Sequence, residues 1–109
     1  MIDAFDCEPQ RLRDALALAA LFEELISQLH LKLLSPCVWH TFPEPGGVTG
    51  MALLAESHLT IHTFPEHRFA ALNLYCCKAR PAHDFQASLA FHLKARRCAI
   101  RQVQRGETS

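Results

Sequence analysis

A dense group of nucleophilic and proton-carrying side chains lies between positions 57 and 77: Ser57, His58, His62 and Cys77. A serine hydrolase needs a base and an orienting acid around its serine. Ser57 is instead flanked by Glu56 and His58, not by the spaced glycines of a nucleophile elbow. His58 and His62 share one face of a strand or a helix, but a complete metal-ligand set is missing. Since single histidines most often have structural roles, residue types alone leave these alternatives open.

The composition restricts the class of protein. The chain has 109 residues and a formal charge of zero, with 11 basic and 11 acidic side chains and no run of like charge. This balance argues against a nucleic-acid-binding face and against a polybasic membrane surface. No signal peptide is visible, and the longest apolar run, 15–22, is too short to cross a bilayer. We therefore expect a soluble, cytoplasmic protein whose five cysteines are reduced.

Hydrophobic periodicity predicts the elements that must position these side chains. Apolar residues recur at spacings of three and four after Pro9, which predicts a helix over 11–30. A second helix is predicted to begin at Pro81 and to end near Leu93, and the prolines and glycines of 42–47 predict a loop. Strands are predicted over 2–6, 31–39 with an interruption at Ser35-Pro36, 48–55, 56–64, 69–77 and 98–103, followed by a frayed tail over 104–109.

This pattern predicts one α+β domain. We write its order as β-α-β-β-β-α-β, a two-layer α/β sandwich with a mainly antiparallel sheet and both helices on one face. No linker divides the chain. The other face of the sheet needs a partner, and a homodimer would supply one.

The string from Leu54 to Glu66, LAESHLTIHTFPE, closely resembles the self-cleavage segment of the prokaryotic S-adenosylmethionine decarboxylases. In that family the bond between the Glu and the Ser of Glu-Ser-His is cut. The resemblance extends back through 47–50 and forward to Cys77, and weaker similarity covers nearly the whole chain. It implies a pyruvoyl-dependent decarboxylase that is cleaved between Glu56 and Ser57 into 1–56, the β chain, and 57–109, the α chain.

The resemblance also implies a role for each matching residue. Ser57 attacks the carbonyl of Glu56 to give an ester, and His62 promotes its β-elimination. The resulting dehydroalanine hydrolyses to a pyruvoyl group. Thr49 stands where a hydroxyl assists this processing, and Cys77 stands where the family has the proton donor of the catalytic cycle. The pyruvoyl carbonyl forms a Schiff base with the substrate amine and delocalises the carbanion left by decarboxylation, which a thiol can then reprotonate.

The substrate implied is S-adenosylmethionine, whose decarboxylated product serves polyamine synthesis. The family stacks an adenine on an aromatic ring upstream of the motif, where this chain offers Phe42 or Trp39, and Glu66 is a candidate substrate-binding residue. Phe64 stands where Trp is usual, and Cys76 would replace Cys77 as donor if the alignment slipped by one residue. The family resemblance places the active site at a homodimer interface.

Three alternatives remain open at this stage. An arginine or ornithine decarboxylase would keep Ser57, His62 and Cys77 without the adenine shelf. An uncleaved paralogue would keep the fold without the chemistry, and His58 and His62 would be the start of a metal site.

One geometric conflict concerns Ser57 and His62. Five positions apart, they face opposite sides of an ideal strand. We therefore expect a local irregularity at the Glu56-Ser57 bond, either a bulge or a kink.

Overall fold

The computed structural model describes residues 1–106 and contains one six-stranded antiparallel sheet in the order β2-β3-β4-β5-β1-β6. The strands are β1 (Ile2–Phe5), β2 (Val38–Thr41), β3 (Val48–Leu54), β4 (Ser57–Phe64), β5 (Phe69–Tyr75) and β6 (Arg97–Ile100). The helices are α1 (Pro9–Leu12), α2 (Ala15–Gln28) and α3 (Phe85–Leu93), with a short 3-10 turn at Pro65–His67. No helix within these residues is long and apolar enough to cross a membrane.

The helices begin where capping residues stand. Asp14 accepts a hydrogen bond from the backbone N–H of Leu16, and this cap starts α2. The prediction of one helix from 11 onward was therefore wrong, because α1 ends before this cap. Asp84 accepts from the N–H of Ala87 in the same way, so α3 begins at Phe85. The predicted beginning at Pro81 was therefore wrong by four residues.

The sheet has four strands between α2 and α3, as many as the predicted strand ranges, although the order β-α-β-β-β-α-β counts only three. The strand predicted over 31–39 is largely absent: Leu33 makes only an isolated bridge to Leu54, and the paired segment is β2, which follows Pro36. Proline lacks the N–H that a ladder needs. The predicted strands over 69–77 and 98–103 end early, at Tyr75 and Ile100. Of the tail, 104–106 form no helix or strand, and the last three residues lie outside the described residues.

Burial alternates along the central strands, which separates a helix-covered face from an open face. Leu59 and Ile61 of β4 are fully buried and belong to one core with Phe22 and Leu25 of α2 and Leu89 of α3. The residues between them point the other way. The open face carries exposed apolar side chains on four strands: Val38, Met51, Leu53, Phe64 and Tyr75. The predicted two-layer α+β fold is confirmed.

Trp39 belongs to the core and not to the open face. It lies opposite Gly50 in the β2–β3 pair, and its ring packs on Phe22 with centroids 4.9 Å apart. A Cβ on Gly50 would lie 2.2 Å from the Trp39 ring, so only glycine fits there.

Thr63 ties α1 to the strands that carry the site. Its buried hydroxyl donates to the carbonyl of Leu12 at 2.7 Å and accepts from the N–H of Val48 at 2.8 Å. The hydroxyl therefore links the end of α1 to the start of β3 through two buried hydrogen bonds.

Candidate active site

A two-residue turn at Ala55 and Glu56 joins β3 to β4. Leu54 pairs with Ser57 across the turn, and Glu56 has a φ of 59°, in the left-handed region. A residue other than glycine pays about 1–3 kcal/mol for that conformation. The irregularity predicted at the Glu56-Ser57 bond is therefore a tight, strained turn, and the strand does not bulge.

The turn brings together three of the residues singled out in the sequence. The Cys77 thiol donates to the carbonyl oxygen of Glu56 at 2.7 Å. Ser57 is 8% exposed, and its hydroxyl donates to the carbonyl of Ala55 at 3.4 Å. Cys77 is exposed, whereas Cys76 is half-buried and packs against the core. Cys77, and not Cys76, is therefore the cysteine that contacts the Glu56-Ser57 peptide bond, where the family resemblance predicts cleavage.

A second group of candidate residues lies at the other end of the β3–β4 pair. Thr49 and His62 are direct cross-strand partners. The Thr49 hydroxyl and Nδ1 of His62 are 3.0 Å apart and share a hydrogen bond whose direction depends on the histidine tautomer. The threonine therefore fixes the orientation of the imidazole ring.

Next to this pair is a cavity of about 310 Å³ whose lining includes Phe42, Thr49, His62, Phe64 and Glu66. Phe42 is half exposed and comes from the predicted loop over 42–47. Of the two aromatic residues considered for stacking on an adenine ring, only Phe42 faces the cavity, since Trp39 is in the core. A volume of this size accommodates a small ligand, with aromatic surfaces and one carboxylate to orient it.

Ser57 and His62 do not meet within one protomer. Ser57 belongs to the helix-covered face of β4 and His62 to the open face. Five residues of extended chain separate them by roughly 17 Å. The turn with Ser57 and Cys77 is therefore one half-site, and the Thr49–His62 pair with its cavity is another.

His58 and His62 lie on the same open face of β4, as the metal hypothesis required. However, residues 1–106 contain no group of three or more His, Cys, Asp or Glu side chains placed to hold a metal ion. His58 instead stacks on Tyr75 with ring centroids 5.7 Å apart.

A basic cavity beside the turn was missed in the sequence. Lys32, Lys78 and Arg80 line a space of about 340 Å³ together with Glu56 and Cys77. Lys78 and Arg80 follow within three residues of Cys77, and this cluster of positive charge was the one sign of the cavity in the sequence. Lys32 comes from the irregular segment after α2, and only the fold brings it near.

The fold and the two half-sites define a small α+β enzyme built on one antiparallel sheet. The family model described as S-adenosylmethionine decarboxylase matches residues 1–106. The chain belongs to this family.

Individual relatives agree with that assignment. A protein of Parasynechococcus marenigrum named S-adenosylmethionine decarboxylase proenzyme is 38% identical over 106 residues, which are 96% of this chain and 81% of the relative. A protein of the same name from Methanococcus maripaludis is 32% identical, over 97% of this chain and 86% of the relative. The crystal structure of the adenosylmethionine decarboxylase from Aquifex aeolicus superimposes with a TM-score of 0.65 at 22% identity, covering 99% and 92% of the chains, and supports the fold.

The cysteines should differ sharply in reactivity. Burial, assisted by the nearby charge of Asp6, raises the pKa of the Cys7 thiol to about 12, so almost none of it is thiolate at pH 8. Cys77 is exposed. We expect iodoacetamide at pH 8 to label Cys77 at least about 10-fold faster than Cys7, measured by peptide mass spectrometry. Urea should remove the difference, and equal rates in the folded protein would contradict the burial of Cys7.

Proposed function

We propose that the chain is an S-adenosylmethionine decarboxylase proenzyme that cleaves itself between Glu56 and Ser57. The products are the fragments 1–56 and 57–109, the second carrying a pyruvoyl group derived from Ser57. The observation that carries this proposal is the hydrogen bond from the Cys77 thiol to the Glu56 carbonyl, at a strained turn, in a chain of this family.

The first step needs a nucleophile held against its own backbone. The Ser57 hydroxyl attacks the carbonyl carbon of Glu56, and the amide nitrogen of Ser57 leaves as a free amine, which gives an ester. Cys77 donates to the carbonyl oxygen on which negative charge develops, so it stabilises the transition state. Opening the peptide bond also releases the constraint on the left-handed Glu56 backbone.

The second step breaks the ester. A base removes the α-proton of residue 57, the Glu56 carboxylate departs from the β-carbon, and dehydroalanine remains. Water then replaces the amine as ammonia and leaves a ketone. We assign the base to His62 of a second protomer, whose ring is oriented by the Thr49 hydroxyl 3.0 Å from its Nδ1.

These residues fit a cofactor generated in place. When present, the pyruvoyl group supplies an electron sink for the carbanion formed by loss of carbon dioxide. Ser57 lies at the end of a strand with little exposure, which limits water around residue 57. The exposed Cys77 thiol, adjacent to the same bond, is placed to return a proton to the substrate α-carbon.

The active site requires two protomers. Because Ser57 and His62 face opposite sides of β4, neither protomer is complete by itself. The open face carries exposed Met51, Leu53 and Phe64, an apolar surface suited to packing on a second copy. We infer a homodimer in which the turn of one protomer receives Thr49 and His62 of its partner.

The cavity beside His62 suits a cationic nucleoside better than a guanidine or a short amine. S-adenosylmethionine carries an adenine ring and a sulfonium cation. Phe42 and Phe64 offer faces for stacking and cation–π contact, and Glu66 offers a carboxylate. The relatives named above also favour this substrate over arginine or ornithine. The decarboxylated product would then donate aminopropyl groups in polyamine synthesis.

Self-cleavage is the first test. Denaturing mass spectrometry of the purified protein should find 1–56 and 57–109, with a carbonyl in place of the amine on the second fragment. Ser57→Ala should remain intact, because the alanine has no nucleophile. An intact wild-type chain after long incubation would refute the proposal and favour the uncleaved paralogue.

Complementation tests the shared site. We co-express Ser57→Ala and His62→Ala chains carrying different tags. In a mixed dimer, one site has both wild-type residues, so only the His62→Ala chain should be cleaved, although this variant alone stays intact. Mass spectrometry of each tagged chain measures the result.

The control replaces an exposed histidine outside both half-sites. His67→Ala should be cleaved without a helper chain. Cleavage of His62→Ala expressed alone would contradict the role of this histidine, and a mixed dimer that stays intact would contradict sharing between protomers.

The substrate is tested by carbon dioxide release from carboxyl-labelled S-adenosylmethionine, arginine and ornithine. We expect turnover only of the first. Phe42→Ala and Glu66→Gln should each raise KM by about 10-fold, a loss of about 1.4 kcal/mol of binding, while cleavage proceeds normally. Glu23→Gln on α2 is the control. Cleaved protein that is inert towards S-adenosylmethionine would overturn the substrate assignment alone.

A further inference from the structure

The cations of the basic cavity beside the turn have no part in the chemistry described so far, although Glu56 and Cys77 also line it. Its cations are Lys32, Lys78 and Arg80, and Glu56 is the acidic side chain among its lining residues. Arg80 is anchored, because its guanidinium donates to the carbonyl of His30 at 3.0 Å, and its Nε is buried without a protein partner. Three cationic side chains and one anionic side chain therefore line the cavity, so its lining has an excess of positive charge.

Self-cleavage changes the charge at this position. The carbonyl of Glu56 becomes a free carboxylate, so residue 56 then carries two negative charges in place of one. No compensating positive charge appears on the other side of the cut, since the nitrogen of residue 57 leaves as ammonia. The cleaved chain has an additional anion at the wall of a cavity lined by three cations.

We propose that this cavity is a carboxylate site that receives the new C-terminus of the 1–56 fragment. The inference rests on the proposed cleavage and adds a function for residues that the cleavage does not require. Charge-assisted contacts from lysine and arginine to a carboxylate are about twice as strong as neutral hydrogen bonds. They would hold the fragment end at the turn.

The other available carboxylate is that of the substrate, and the chemistry argues against it. Decarboxylation turns a carboxylate into neutral carbon dioxide. Cations around that group would stabilise the charged ground state more than the transition state, so they would slow the reaction. A cluster of three cations suits a carboxylate that keeps its charge, as the one on residue 56 does.

The test compares the effect of one substitution in two backgrounds. Lys78→Met is made in the wild type, which is cleaved, and in Ser57→Ala, which lacks the new carboxylate. We expect Tm to fall by roughly 2–6 °C in the cleaved protein and to change little in Ser57→Ala. The difference should shrink at 1 M salt, where the screening length is about 3 Å.

Lys94→Met is the matched control, because Lys94 lies at the end of α3, outside the cavity. It removes the same charge and should act equally in both backgrounds. Mass spectrometry verifies that each preparation is fully cleaved. If Lys78→Met slows cleavage while Lys94→Met does not, the inference is overturned, because the cation then acts in the cleavage reaction and not on its product.

Equal effects of Lys78→Met on Tm in the cleaved and Ser57→Ala backgrounds would overturn the inference and leave the cation with a structural role. A raised KM for S-adenosylmethionine with no difference in Tm between backgrounds would overturn it in favour of the substrate carboxylate. Failure of the proposed function looks different, because the wild type would then stay in one piece.

Discussion

The register of the β3–β4 hairpin is the constraint on which the rest of the site depends. A turn of only two residues pairs Leu54 with Ser57, and each following pair is then determined, down to Thr49 opposite His62. A slip by one residue would send Ser57 to the open face and separate the threonine from the histidine. This register places Glu56 in the left-handed region, so the strained residue is the one whose carbonyl would be attacked in the proposed cleavage.

The same period of two is the reason for proposing a second copy of the chain at the active site. A strand cannot present positions 57 and 62 on one face unless it bulges, and β4 pairs without interruption along its length. The sequence identified this conflict, but one chain offers no way to resolve it. In the proposed dimer, the open face with exposed Met51 and Leu53 packs on another copy, which supplies the second histidine.

The sequence predicted the parts of the fold that follow from periodicity and from a contiguous motif. The strands around Ser57 and the helix-covered core were predictable, since alternation and a spacing of three and four are local properties. The break before α2 also has a local cause, because Asp14 is a capping residue that can be recognised in the sequence.

Other features depended on contacts between distant residues. The sequence could not choose between Trp39 and Phe42, because the choice follows from the packing of Trp39 on Gly50 and Phe22. Likewise, Lys32 and Lys78 are far apart in the chain, and only the folded sheet brings both to the turn.

Strand order also bears on what a cut at residue 56 does to the protein. The fragment 1–56 would contribute β1, β2 and β3, and the second fragment β4, β5 and β6. In the sheet these alternate, because β1 lies between β5 and β6 while β3 pairs with β4. Separating the fragments would break three strand interfaces and expose core residues such as Ile2 and Ala4. The cleaved chain can therefore remain one folded unit, and a carboxylate site at the turn would hold the new end of the first fragment in place.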